Sequence, residues 1–142
     1  MKQLPKRQIM TENHIFSFED LDVYKKARAL VKEIYKIQDG LPKEERFGLC
    51  DQLRRASISI SANIAEGSGR KSLKEKIHFI EIAYGSLMEV FCELQTAVDL
   101  GYATEQQIDY LRPIFTDTAK MLSGLRSSFI TKMAENSITN NL

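Results

Sequence analysis

The stretch LKEKIHFIEIAYGSLMEVFCELQTAVDL, Leu73 to Leu100, decides the architecture. Its large apolar residues fall at Leu73, Ile77, Ile80, Tyr84, Leu87, Phe91, Leu94 and Val98, at spacings of 4, 3, 4, 3, 4, 3 and 4. That alternation is the a/d stripe of a helix packing at a shallow angle along partner helices. Ser72 and Glu75 form the S-x-x-E pattern of a capping box, which satisfies amide donors that the first turn leaves free. Gly101 stands just past the stretch, where a left-handed C-cap is needed. At about 1.5 Å per residue the helix spans roughly 40 Å. A stripe of that length needs other helices of similar length to cover it.

Those helices lie on either side. Upstream, Val23, Ala27, Leu30, Val31, Ile34 and Ile37 mark one face of a helix over Asp20 or Asp22 to Gln38, either aspartate being able to cap it. Its other face carries Lys25, Lys26, Arg28, Lys32, Glu33 and Lys36, the pattern of a solvated face. Asp39, Gly40 and Pro42 mark a stop and a new start. The second helix begins near Pro42 or a little later, with Glu44 and Glu45 suiting the positive end of its dipole and Gly48 permitting a bend. Its stripe is Leu49, Leu53, Ala56, Ile60 and Ile64, amid the small residues Ser57, Ser59, Ser61, Ala62 and Ala65. Gly67-Ser68-Gly69 ends it, glycine tolerating the dihedrals of a tight connection. Downstream, Thr104 and Gln107 open a fourth helix with the stripe Ile108, Leu111, Phe115, Leu122, Leu125 and Phe129, Thr118 filling the gap. Pro113 falls inside it and predicts a kink or a break. With short connections the four alternate in direction, giving an all-α, up-down-up-down antiparallel four-helix bundle. The expected organisation is a flexible N-terminal tail over 1–17, the bundle over 18–133 and a frayed tail over 134–142.

The 142 residues suit one domain. They are 43% hydrophobic and 27% charged, an ordinary globular profile, with 20 Lys and Arg against 19 Asp and Glu. A net charge of +1 lacks the basic excess of a nonspecific nucleic-acid binder, so any such role rests on a local patch. No run of about 18 apolar residues occurs, so no membrane span is expected. The N-terminus lacks the apolar region of a signal peptide, and the expected location is cytoplasmic. Cys50 and Cys92 read as small buried hydrophobes in a reducing cytosol.

No motif for chemistry stands out. Glu75 to His78 is an E-x-x-H, the spacing bundles use for di-iron sites, but such a site needs a second copy and two more glutamates, and the other histidine is His14 in the tail. Neither histidine is placed for a catalytic triad, and Gly67-Ser68-Gly69 lacks the phosphate-loop spacing. The expectation is no enzyme, no metal, no cofactor and no small-molecule substrate. Arg54 and Arg55 read as ion pairs between helices or subunits, or as phosphate contacts together with Arg70, Lys71 and Lys74. Arg70 and Lys71 sit beside the start of the organising helix, whose free amides favour an anion. Asn63, beside a core stripe, must be hydrogen-bonded and fixes helix register or a subunit contact; Glu66 is grouped with it as a structural or interface residue.

One segment is more specific than bundle packing requires. Glu45-Arg46-Phe47-Gly48-Leu49 and then Gln52 to Arg70, QLRRASISISANIAEGSGR, resemble the signature of the bacterial four-helix bundle proteins encoded in intervening sequences of 23S ribosomal RNA genes. Asp20 to Tyr24 with Lys26-Ala27, Ala83 to Glu89, and Met121 to Leu125 agree with it, so the likeness runs from Phe18 to Phe129. It departs at Ser61, where many relatives have proline, and at Pro113. The resemblance implies a four-helix bundle and a ring-like homopentamer. It also implies an RNA-linked role, that of the members encoded in ribosomal genes; one relative, the accessory variability protein of diversity-generating retroelements, is a basic pentamer that binds nucleic acid and a reverse transcriptase. The expected partners are therefore the chain itself and RNA, DNA or a nucleic-acid enzyme. A purely structural or protein-partner scaffold is the alternative. Ile58, apolar but off the core stripe, and the small residues around it suit an interface.

Overall fold

The periodic stretches become four α-helices in a computed structural model that describes residues 16–141. They are α1 (Asp22–Asp39), α2 (Leu49–Ser68), α3 (Leu73–Asp99) and α4 (Glu105–Asn140), with 3-10 turns at Ser17–Asp20 and Lys43–Glu45 and no strand among the described residues. The basic tail with Lys2, Lys6, Arg7 and His14 lies outside the described residues.

Local chemistry sets most of the ends. Thr104 Oγ1 accepts from the Gln107 amide at 3.2 Å and Gln107 Oε1 accepts from the Thr104 amide at 2.8 Å, a complete capping box. At α3 only half of the box forms: Ser72 Oγ accepts from the Glu75 amide at 3.1 Å. Gly101 has φ +78°, and the amides of Tyr102 and Gly101 reach back to the carbonyls of Ala97 and Val98. This is the Schellman stop that the glycine foretold. The start of α1 differs from expectation. Leu21 is the N-cap, without a side-chain bond, because the preceding 3-10 turn delivers the chain already aligned. The start of α2 is held by Glu45, whose Oε2 accepts from the Leu49 amide at 3.2 Å.

Sequential helices pack on one another and α1 packs on α4, closing the bundle. Its centre is Leu30, Ile34, Leu53, Ile60, Ile64, Leu87, Leu94, Leu111 and Leu122, all fully buried. Each such side chain contributes roughly 1.5–3 kcal/mol relative to exposure. Phe91 meets Phe115 edge-on at 5.2 Å, tying α3 to α4. Within the stripe of α3, Ile80, Leu87 and Leu94 are buried, but Tyr84 is 38% exposed. The buried face also takes Ala83, Ser86, Val90, Glu93 and Ala97. Small residues there let α3 roll toward α2. Cys50 is buried as expected; Cys92 is exposed, on the outer side of the rolled helix.

Three further details refine the expectations. Of the kink or break expected at Pro113, the break does not occur, since α4 runs through it. Proline and the Asp109 carbonyl it strands both lie on the exposed face, where water can satisfy that carbonyl. α2 ends at Ser68 with Gly69 as its C-cap, as expected, and the cap has an ordinary φ of −84°. The glycine that matters is Gly67, buried, where an added Cβ would stand 2.8 Å from Phe79 Cβ. Finally, α4 continues to Asn140, past the bundle boundary expected near 133. The Arg126–Glu81 pair, 2.9 Å, sets an antiparallel register that puts Leu73 opposite Ala134. Beyond that point α4 overhangs, wholly exposed, with no glycine or proline to stop it.

Candidate nucleic-acid interface

The α2–α3 turn gathers charge because two helix ends meet there. Gly67 lets the helices close, and Lys76 Nζ donates to the Ser68 carbonyl at 3.0 Å, answering one of the free acceptors of α2. Arg70 Nη2 donates to Glu66 Oε1 at 2.7 Å, and its guanidinium lies 4.8 Å over the Phe79 ring. Glu66 is therefore a partner within the chain, and Arg70 is anchored while 40% exposed. Lys71 and Lys74 stand exposed without a carboxylate partner among the described residues. They flank the start of α3, where amide donors and the helix dipole favour an anion.

The other two arginines do not join this group. Arg55 and Arg70 are separated by about 22 Å along α2. Arg54 is committed to the fold: Nη1 donates to Gln38 Oε1 at 3.1 Å and Nη2 to the Arg46 carbonyl at 3.3 Å. Only 31% of its side chain is exposed. Arg55 is 81% exposed, 3.7 Å from Asp51. The five basic residues thus form a cluster of three, one distant surface arginine and one structural clamp. Asn63 Nδ2 donates to the Ser59 carbonyl at 2.8 Å and to Ser59 Oγ at 2.9 Å, while Ser59 Oγ meets Ser86 Oγ at 2.9 Å. This network registers α2 on α3.

The family now has its structural context. A model of the 23S rRNA-intervening sequence protein family matches residues 19–124. The chain belongs to that family. A crystal structure at 1.70 Å, described as a protein with unknown function from the S23 ribosomal protein family of Bacteroides thetaiotaomicron, shares the fold. Its TM-score is 0.68 at 24% identity, over 74% of this chain and 95% of that one. No curated protein matches. The family segment ends at 124, short of the α4 overhang.

Glu93 is a residue that the sequence reading missed. It is buried, and its Oε2 has no hydrogen-bond partner among the described residues. Burial above all, then the Glu89 charge and a carboxyl–carboxyl hydrogen bond to Glu89, push its pKa up to about 7. Its signal was available: it falls three residues after Val90 and seven after Ser86, on the edge of α3 that faces α2. Burial likewise raises the Cys50 thiol, whose Sγ lies 3.6 Å from the Gln38 carbonyl. His78 is exposed beside Phe79, and no group of metal-binding side chains occurs among the described residues. Among them no helix is long and apolar enough to cross a membrane.

Proposed function

We propose that this member of the 23S rRNA-intervening sequence protein family is a non-enzymatic, cytoplasmic interaction protein. In this reading it works as a homopentamer and contacts RNA, DNA or a nucleic-acid-processing enzyme through the α2–α3 turn. One observation carries the reading: Lys71 and Lys74, exposed and without carboxylate partners among the described residues, stand beside anchored Arg70 at the start of α3. Phosphate contacts of this kind position a nucleic acid without reading its sequence. Arg55 is a second, separate contact point, and Arg54 serves the fold. The family description names a 23S rRNA intervening sequence, so that RNA is the first to test.

Fluorescence anisotropy of such RNA fragments against salt is the test. The logarithm of the binding constant should fall linearly with the logarithm of salt, by about 0.7 per neutralised phosphate on a single strand. Absent or salt-independent binding contradicts the reading, and magnesium-dependent cleavage by pure protein would replace it with a nuclease. Light scattering should give a pentamer of the 16.2 kDa chain; a monomer at micromolar concentration ends that part.

The second reading, a scaffold for protein partners without nucleic-acid affinity, is favoured by exposed Tyr84, Met88, Ile130 and Met133 on α3 and α4. Replacing Arg55, Lys71 and Lys74 by alanine separates the two. Under the scaffold reading RNA is never retained, before or after the change.

A further inference from the structure

Helix α1 carries five cations, and the fold treats them in two ways. Lys26 reaches Asp117 of α4 at 3.4 Å, and Lys36 reaches Glu33 at 3.2 Å. Lys25, Arg28 and Lys32 have no carboxylate partner among the described residues. These three line an open cleft of about 550 Å³ between α1 and α2. Ala29, Val31 and Ile58 give it an apolar lining, Ile58 being 45% exposed, and no acidic residue lines it. The two α1 cations away from the cleft, Lys26 and Lys36, are neutralised within the chain. Those on it are left for something else.

We propose that this cleft seats an acidic amphipathic helix of a partner protein. An apolar ridge of the partner covers Ile58 and Val31, and carboxylates along one edge meet Lys25, Arg28 and Lys32. The cations sit at i, i+3 and i+7, the spacing at which a helix presents one row of side chains. Lys25 and Lys32 are about 10 Å apart along the axis, close to two turns of an accompanying helix. A nucleic acid suits the cleft less well. Tyr24, the aromatic ring in its lining, meets Phe18 in a T-shaped contact at 4.9 Å and has the Arg28 guanidinium 5.8 Å over one face, which leaves it a poor platform for base stacking. A phosphate backbone also has no apolar ridge for Ile58. The proposal does not rest on RNA binding at the α2–α3 turn, which uses other residues.

The test is a selection from a display library of helical peptides against the immobilised full chain, followed by affinity measurement on synthetic copies of the winners. The expected winners carry Asp or Glu beside a Leu, Ile or Phe ridge. Their affinity falls about tenfold or more for Lys25→Glu/Arg28→Glu/Lys32→Glu and for Ile58→Glu, and weakens with salt. The neutral set Lys25→Gln/Arg28→Gln/Lys32→Gln gives the same direction if charge reversal disturbs folding. No enrichment, enrichment without acidic bias, or winners indifferent to these changes overturns the proposal. It is also overturned if a short single-stranded RNA loses affinity for the Lys25/Arg28/Lys32 variants but not for Lys71→Glu/Lys74→Glu. Ile58→Glu dissolving an oligomer in light scattering assigns the cleft to a second copy of this chain, and overturns it as well.

Discussion

Helix α2 has two seams, built in opposite ways. Against α3 the interior is closed by small residues, for Gly67 receives Phe79, Ser59 meets Ser86, and Ala56 and Ala83 are buried, while the groups on its outer edge, Asp51 and Arg55, pair with each other. Against α1 the interior is closed by Leu30, Ile34 and Leu53, but the outer edge opens into a cleft rimmed by unpaired cations. Small side chains let two helices approach, and their hydroxyls and amides then find partners inside the chain. Longer charged side chains hold an edge open and leave their heads to solvent. Along its length the α3 seam supports the fold, with free cations only at the turn that ends it, whereas the α1 edge carries them along its whole side.

The sharpest way to break this contrast is to cut the closed side. Leu87→Ala removes a fully buried side chain and should cost about 2–5 kcal/mol in denaturant unfolding. A cost below 1 kcal/mol would mean that α3 is not held as described.

Next comes the acid on that seam. The fold raises the Glu93 pKa from 4.5 to about 7, so it favours the neutral carboxyl. The contribution is fully present below the unfolded value and is lost as pH rises through about 7. Each unit of that rise corresponds to about 1.4 kcal/mol. Asp51, Arg55 and Glu89 are the charged groups along this edge. Thermal melts between pH 4.5 and 8 should show the decline, and Glu93→Gln should flatten it. An identical pH slope in the variant would refute the assignment.

Gly67→Val probes the close approach itself. Its Cβ would collide with Phe79 Cβ, which cannot swing away, so about 1–3 kcal/mol should be lost by overpacking. Gly124→Ala, in open space on α4, provides the contrast and should be neutral or slightly stabilising. Smaller again is the cap: Thr104→Ala should cost about 1 kcal/mol.

Much of this was legible beforehand because it is local or periodic. The four stripes gave four helices, Gly101 and Thr104 gave their turns, and Thr118, polar in an apolar row, is fully buried with its hydroxyl bonded to the Ile114 carbonyl. What escaped depends on neighbours distant in sequence. A strict heptad stripe drifts about 20° per repeat on a straight helix. Which side of α3 is buried was therefore settled by the small residues facing α2, and Tyr84 was turned out. Gly67 looked like a turn residue because Phe79 was not in view. Arg54 read as an ion pair or a phosphate contact because Gln38, its acceptor, lies on another helix. The apolar period of α4 ends near Phe129, but a helix needs a stop signal as well as a lost partner, and none follows. Ser137 and Thr139 instead bond back to the carbonyls of Met133 and Glu135.

The central claim is that recognition sits on uncommitted surface cations and is separable from the fold. The direct measurement is Lys71→Glu/Lys74→Glu, followed by thermal unfolding and by binding to a 23S intervening-sequence RNA across salt. The account predicts stability within about 0.5 kcal/mol of the parent, together with weakened RNA binding and a salt slope shallower by about 1.4. Unchanged affinity and slope in a folded variant, or affinity lost only as the protein unfolds, would contradict it.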